Sequence, residues 1–461
     1  MSARHYHLMG IGGISVSALA EILQHQGHRV SGCDQHLSER TARLERRGIA
    51  VLQGHAPEHL EGVDVLVAST AIGEDEPELA EARRRRIRVL RRIELLGEVM
   101  GRGTSLGVTG SHGKTSTSAM LAQILLGAGR DPTVVLGADF AAIGGNYRIG
   151  DGPIVAEVDE SDPLFQHLAL DVAVITNLEA DHISPDGRPR PNYHESFASL
   201  KEAVRTFARN AAKVVYNAEW AHLEALTAGT ERYGFGLEHG DCHAANVELL
   251  PFGSRFELVW QGQVLGPLEL QVPGRHNIAN ALAAATAALL AGVPFTAIAA
   301  ALHAFAGARR RFERVGEWQG ALVVDDYAHN ATKLAALLAA ARATGLRVRA
   351  VFQPHRYGRS EQEWPGYARA LEQAHEVLLL DVYAASERPL RLSSAQIVGN
   401  IVEHLQQRGH AARHYAWDEA LAYLRRSARP GDLILTVGAG DVSRLGRLLV
   451  SPAPTPGQEV V

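Results

Sequence analysis

The sequence predicts an α/β protein of three domains, and three observations carry that prediction. Apolar strand-like runs alternate with amphipathic helical stretches along most of the chain. At 461 residues the chain is too long for one compact core, which implies two to four domains. A glycine-rich turn in "GVTGSHGKTSTSAML" (107–121) joins an apolar run to a helix-forming stretch in the middle of that alternation.

The first hundred residues read strand, helix, strand in turn. "HYHLMGI" is a strand, "SVSALAEILQHQG" a helix, "RVSGCD" a strand, "SERTARLERRG" a helix, "VDVLVAST" a strand and "DEPELAEARRRR" a helix. Alternation at this spacing requires a parallel sheet with right-handed crossovers. A second unit starts at "SLGVTG" and takes in "GPIVAEVD", "DVAVITN" and "AKVVYNA". Near "TERYGFG" the pattern turns to short alternating strands, "FELVW" and "LELQV", before the long helix "NIANALAAATAALLAG". A third unit runs from "ALVVDDYA" through "RVRAVFQP" and "EVLLLDVY" to "DLILTVGAG". The expected division is a Rossmann-like domain at 1–105, a central P-loop ATPase-type domain at 106–308 and a C-terminal Rossmann-like α/β domain at 309–450. The Pro-rich tail 451–461 is expected to be disordered.

Composition excludes several function classes. A net charge of −5 gives no global basic field for nucleic acid or anionic membrane. The run "ARRRRIRVLRR" (82–92) follows the acidic "GEDEPELAEA" and reads as the solvated end of a helix plus a short strand. Cys33 and Cys242 are the sole cysteines, so neither a disulfide framework nor a cysteine cluster for zinc is expected. No signal peptide and no apolar run of membrane-spanning length is evident, so a cytoplasmic enzyme is expected.

The glycine-rich turn carries the chemistry. In a phosphate loop, backbone N–H groups converge on anionic oxygens at a helix N-terminus. Gly110 and Gly113 shape the turn, Lys114 is placed for the β- and γ-phosphates, and the Thr115 hydroxyl for Mg²⁺. Val108 stands where the first glycine of the strict motif belongs. "EVDESD" (157–162) and "TNLEADH" (176–182) end the next two strands, which makes Glu160 and His182 candidate metal ligands. Either segment alone also fits a solvated acidic loop.

Other motifs say less by themselves. "MGIGGISVSA" resembles a dinucleotide fingerprint with Asp34 downstream, but Ser15 occupies the third-glycine position. "GRHNIANALAA" places His276 and Asn280 on one face of a helix start, fit for an adenine or for a cap. "RRRFER" (309–314) puts arginines at the second domain joint, and "DDYAHN" (325–330) and "QPHRYGR" (353–359) cluster groups suited to a carboxylate.

Taken together and in order, these segments resemble the Mur ligase family, over essentially the whole chain to about residue 447. The resemblance rests on "MGIGGISVSALAEIL", "SGCD", "STAI", "GSHGKTSTS", "VDESD", "TNLEADH", "YGF", "PGRHNIANALAA", "RRFE", "DDYAHN", "FQPHRYGR", "DVYAASE" and "VGAGDV". "VDESD", "PHRY" and "DVYAASE" point to the alanine-adding branch. What the resemblance implies is an ATP- and Mg²⁺-dependent ligase joining L-alanine to the lactyl carboxylate of UDP-N-acetylmuramate, working as a monomer or homodimer. By it, Gly10, Gly12, Gly13, Asp34 and Ser69 face the uridine diphosphate. Gly110, Ser111, His112, Gly113, Lys114, Thr115 and Ser116 hold ATP, with Thr115, Glu160 and His182 on the metal. His276, Asn280 and Asp326 complete the nucleotide site, and Arg310 or Arg311 approaches the γ-phosphate. Tyr327, His329, His355, Arg356 and Arg359 present the amino acid.

Three local departures accompany the resemblance. "AHNATK" stands where the family usually shows two histidines, proline, threonine and an acidic residue. The stretch "ISPDGRPRPNYHESF" (183–197) is long and Pro-rich, and Lys201 is the nearby candidate for the carbamylated lysine of sister ligases, a role not assigned to it. The alternatives are a ligase that attaches a preformed peptide to the same sugar nucleotide in cell-wall recycling, and a catalytically silent UDP-sugar-binding relative.

Overall fold

The structure, a computed structural model, describes residues 3–69, 72–184, 187–188, 192–385 and 387–451. Residues 452–461 of the expected tail 451–461, Thr70 and Ala71 of "STAI", Ser386 of "DVYAASE", and 185–186 and 189–191 of the Pro-rich stretch lie outside the described residues. The chain divides into two compact units, one of Met1–Asn246, Phe256–Leu268 and Ala279–Phe305, the other of Val247–Arg255, Glu269–Ile278 and Ala306–Val461.

The first sheet holds β1 (His5–Met9), β2 (Arg29–Asp34), β3 (Ala50–Gln53), β4 (Val65–Ala68) and β5 (Arg88–Arg91), ordered β3-β2-β1-β4-β5 and all parallel. Helices cover both faces, so β1 and β4 are buried throughout, as inner parallel strands tend to be. Tyr6 and Leu8 join Leu19 and Ile22 of the helix Ile14–His25 on one face. Met9 and Leu66 meet Leu79 and Ala82 of the helix Pro77–Arg84 on the other. The charge run is solvated as expected: Arg84 and Arg85 pair with Glu81, and Arg83 and Arg91 with Glu74.

The second sheet holds β6 (Ser105–Thr109), β7 (Thr133–Phe140), β8 (Gly145–Arg148), β9 (Ile154–Glu157), β10 (Leu170–Ile175), β11 (Ala211–Asn217), β12 (Arg232–Gly236), β13 (Cys242–Leu250), β14 (Gly253–Trp260) and β15 (Gln263–Leu270). Its order is β15-β14-β13-β12-β11-β10-β6-β9-β7-β8. β12 lies parallel to β11, so the parallel pattern runs past "TERYGFG". β6 lies between β10 and β9, with Thr109 opposite Ile175 and Val108 opposite Glu157. That register makes the segments after all three strands leave the same edge.

The third sheet holds β16 (Glu313–Trp318), β17 (Ala321–Asp326), β18 (Arg347–Phe352), β19 (Glu376–Leu379), β20 (Ala411–His414) and β21 (Asp432–Val437), in the order β16-β17-β21-β18-β19-β20. All pairs are parallel except β16 with β17. Among the described residues, no helix is long and apolar enough to cross a membrane.

Candidate active site

The phosphate turn lies between β6 and the helix Lys114–Gly127. Gly110 (φ +127°) and Gly113 (φ +83°) both occupy backbone conformations that L side chains avoid. A Cβ on Gly113 would also overlap Asn280 Oδ1. The exit of β10 fixes the turn. Asn177 accepts the His112 N–H at 2.8 Å and donates to the His112 carbonyl at 2.9 Å, and Thr176 Oγ1 donates to that carbonyl at 2.6 Å. Ser111 Oγ accepts the Glu179 N–H, and the His112 ring lies 2.8 Å from Glu179 Oε2. The turn leads straight into the first turn of that helix, whose N–H groups point out of the helix end, the arrangement on which phosphate loops are built.

Lys114 Nζ donates to the Gly110 carbonyl at 2.7 Å and to Glu160 Oε2 at 2.6 Å. Burial presses the lysine pKa down, but the Glu160, Asp159 and Glu157 carboxylates outweigh it and hold the group above its ordinary range. Burial pushes Glu160 up, opposed by Lys114 and reinforced by Asp159. Asp159 ends below its ordinary value, because Lys114, Arg92 and His182 together exceed the cost of its burial. His182 has φ +56°, and its carbonyl accepts the His194 N–H at 2.8 Å; His194 Nε2 in turn lies 2.7 Å from the Glu160 carbonyl. Asp159, Asn177 and His194 thus join the candidate site without having been singled out from sequence. The first sat unmarked inside "VDESD".

A hard dication fits this donor set. Glu160 is 1 % exposed, and its Oε1 has no hydrogen-bond partner among the described residues. Thr115 is buried in the same helix turn as Lys114. Oxygen donors of this kind, with a buried carboxylate oxygen left over, suit Mg²⁺. Asn280 faces the phosphate turn, with the Thr117 hydroxyl 3.3 Å from its Oδ1. His276 lies one turn earlier in the same helix, Arg275–Leu290, with its ring close to Gly274. Lys201 sits over the Phe197 ring, 4.4 Å from its centroid.

In the first domain, Asp34 holds the glycine turn rather than standing apart from it. Its Oδ2 accepts the Gly12 N–H at 2.9 Å and its Oδ1 the His36 N–H at 3.0 Å. The Gly13 N–H bonds to the Gly10 carbonyl, and Gly10 lies against Ser69.

The third domain gathers its predicted residues at the exits of β17, β18 and β21. Arg310 donates to the Gly438 and Gly440 carbonyls and pairs with buried Asp325 at 3.3 Å. Both Arg310 and Arg311 lie over the Tyr327 ring. Asp326 accepts the N–H groups of Phe312 and Ala328. His329 packs edge-on to Tyr327 and lies 6.3 Å from the His355 ring, which stacks on Tyr383. Arg356 approaches Glu387, and Arg359 approaches Glu363. Asn330 caps the helix Ala331–Ala343 by accepting the Lys333 N–H at 2.9 Å, a local reason for asparagine there.

Burial first, then the charges of Arg356, Arg359 and Arg310, push the His355 imidazole down to about 4. An unfolded histidine protonates near 6.5, so the unfolded chain gains a proton over this window that the folded chain refuses. The contribution of His355 to stability is therefore complete above pH 6.5 and lost as pH falls through about 4. His355→Gln is expected to flatten the acid loss of stability by about 1–2 kcal/mol, after discounting for partial exposure. Denaturant midpoints at a series of pH values measure this, and identical slopes in both proteins would refute it.

Family comparisons agree with this architecture. The Mur ligase family, catalytic domain, matches residues 5–104, the Mur ligase middle domain 108–288, and the Mur ligase, glutamate ligase domain 310–440. The chain belongs to the Mur ligase family. Its relatives narrow the class further. A UDP-N-acetylmuramate–L-alanine ligase from Deinococcus radiodurans is 46 % identical, over 97 % of this chain and 93 % of the relative. One from Gloeobacter violaceus is 40 % identical, over 98 % and 96 %. The crystal structure of UDP-N-acetylmuramate-alanine ligase MurC from Thermotoga maritima superposes with a TM-score of 0.81 at 29 % identity, over 97 % of this chain and 98 % of that one.

Proposed function

We propose that this chain joins L-alanine to the lactyl carboxylate of UDP-N-acetylmuramate, cleaving ATP to ADP and phosphate, in the assembly of peptidoglycan precursors in the cytoplasm. The single observation that carries the reading is the pairing of half-buried Lys114 with buried Glu160 at the mouth of the phosphate turn. Full-length similarity to ligases named for alanine supports the acceptor. In this reading the domains at 1–105, 106–308 and 309–450 would take the sugar nucleotide, ATP and the amino acid in turn.

One oxygen of the lactyl carboxylate bonds to the γ-phosphorus as the bond to ADP breaks, giving an acyl phosphate. Lys114 and the first-turn N–H groups from Lys114 to Ser116 offset the negative charge that gathers on the transferring group. Thr115, Glu160 and His182 would hold Mg²⁺, which when bound neutralises phosphate oxygens. The amine of alanine then attacks the acyl carbon and gives up a proton. The carbon–oxygen bond breaks, and phosphate departs carrying one oxygen of the original carboxylate. Arg356 and Arg359, with His329, His355 and Tyr327, are the proposed grip on the alanine carboxylate. Arg310 or Arg311, both lying over the Tyr327 ring, is the proposed γ-phosphate ligand. His276 with Asn280 is the proposed adenine contact, and Gly10, Gly12, Gly13, Asp34 and Ser69 the proposed diphosphate turn.

The test is an ATP-dependent assay with UDP-N-acetylmuramate labelled with heavy oxygen in its carboxylate. Alanine-dependent phosphate release with label in the phosphate is the expected result. Label absent from phosphate would overturn the acyl phosphate. Preference for a tripeptide acceptor over alanine would replace the reading with the recycling ligase.

A further inference from the structure

One cluster of metal-ligating side chains lies outside the chemistry described so far. Four groups from four separate elements of the first domain converge on the face of the first sheet that the helix Pro77–Arg84 covers. His7 comes from β1, Cys33 from β2, His59 from the short 3₁₀ segment Pro57–Leu60, and Glu78 from the covering helix. One donor atom of each lies within 4.8 Å of all the others. We propose that His7 Nε2, Cys33 Sγ, His59 Nδ1 and a Glu78 carboxylate oxygen form a structural site for a tetrahedral transition-metal dication of the zinc class.

Geometry and charge both favour a metal over a plain hydrogen-bond network. His7 Nε2 lies 3.0 Å from Glu78 Oε1, His59 Nδ1 3.5 Å from Glu78 Oε2, and Cys33 Sγ 3.4 Å from Glu78 Oε2. Ligands of a tetrahedral zinc ion stand roughly 3.3–3.8 Å apart, so the widest pair needs to close by only about 1 Å. His7, Cys33 and Glu78 are each 0 % exposed, and neither His7 Nε2 nor His59 Nδ1 makes a hydrogen bond of normal geometry. A buried imidazole nitrogen left so is costly without a partner, and several nitrogens compete for one carboxylate here. A thiolate and a carboxylate balance a dication, so the filled site carries no net charge into the core. Nitrogen and sulfur donors select zinc-like ions over magnesium, which separates this site from the one at Glu160.

Supporting contacts of the kind that orient metal ligands are in place. The other nitrogen of His7 lies 2.8 Å from Ser31 Oγ, which also lies 2.8 Å from His5 Nε2. His55 Nδ1 lies 3.1 Å from Cys33 Sγ, and the Ala56 N–H donates to Glu78 Oε2 at 3.1 Å. Met9, Leu60, Leu66, Leu79 and Ala82 form the apolar surround. The site is also tied to the glycine turn, since the Cys33 carbonyl accepts the N–H groups of Gly10 at 2.8 Å and Ile11 at 3.1 Å. A metal on Cys33 would pin the strand end from which that turn hangs.

The test uses the full chain, stripped with chelator and reloaded with Zn²⁺ or Co²⁺ alone. Wild type is expected to retain about one equivalent of zinc after desalting, and its cobalt form to show a thiolate charge-transfer band with tetrahedral visible bands. Cys33→Ser should lose both, while Cys242→Ser keeps both. Should Cys33→Ser fail to fold, His59→Gln, at the outer edge of the cluster, must lose the retained zinc with an unchanged circular dichroism spectrum. No retained zinc in wild type, or retention in a folded Cys33→Ser or His59→Gln protein, overturns the proposal. Amide-bond formation plays no part in these readouts, so the site and the proposed ligase activity stand or fall separately.

Discussion

Lys114→Ala is expected to lower alanine-dependent phosphate release on the order of 10³-fold while UDP-N-acetylmuramate still binds at its wild-type affinity. The Lys114 ammonium is already positioned, donating to the Gly110 carbonyl and to Glu160, so it needs little rearrangement to meet charge building on a transferring phosphoryl group. Surrounding carboxylates keep it protonated at any working pH. Removing it deletes the cation and strands Glu160 in a buried position. Breaking a buried pair in this way costs up to about 3–5 kcal/mol, less where the remaining carboxylate takes up a proton. Burial already pushes Glu160 toward the protonated form, so the variant should fold. Coupled phosphate-release kinetics measure the chemistry, and calorimetric titration measures the affinity for the sugar nucleotide. Turnover within tenfold of wild type would remove Lys114 from the phosphate site.

Much of this was legible in the residues, for identifiable reasons. "ALVVDD" is β17 because a strand buried on both faces leaves a nearly continuous apolar run, whereas "RVSGCD", which is β2 residue for residue, was readable from its place between two helical stretches. β3, the apolar but mostly exposed edge strand "AVLQ", was not singled out: its four residues lie close behind the helix "SERTARLERRG". The turn with Lys114 and Thr115 was readable because its parts are consecutive. Glu160 and His182 could be named because each follows a strand flanking β6. Asp159 and His194 could not be ranked that way. His194 reaches the Glu160 carbonyl across 34 residues, and no spacing rule encodes that contact. Asp34 was marked by its distance downstream of "MGIGG", but spacing does not say that its carboxylate would be taken up by the Gly12 and His36 N–H groups. Asn330, a departure from the family pattern, makes sense once the helix it caps is seen. His7, Cys33, His59 and Glu78 come from four different elements, so only the fold brings them together.

Gly110→Ala is expected to reduce turnover by two orders of magnitude or more and to lower Tm, whereas Gly127→Ala leaves both close to wild type. At φ +127° the Gly110 backbone lies in a region that other residues occupy only at about 1–3 kcal/mol of strain. Space is closed as well. A Cβ there would overlap Thr176 Oγ1 and stand 2.7 Å from the Asn177 carbonyl oxygen and 3.0 Å from its nitrogen. A rotamer change could move the threonine hydroxyl away, but the Asn177 backbone follows directly on β10 and has nowhere to go. The turn must therefore shift, taking with it the Gly110 carbonyl that positions Lys114 Nζ and the N–H groups that follow. A displacement near 1 Å at a reacting centre costs on the order of 100-fold in rate. Gly127 ends the same helix, where a Cβ would meet only the Ala301 Cβ at 3.4 Å, and alanine is favoured over glycine in a helix by up to about 1 kcal/mol. Phosphate-release rates and calorimetric Tm for both variants separate a backbone cradle from general fragility of this domain. If Gly110→Ala turns over within a few-fold of wild type, the phosphates are held somewhere other than this turn.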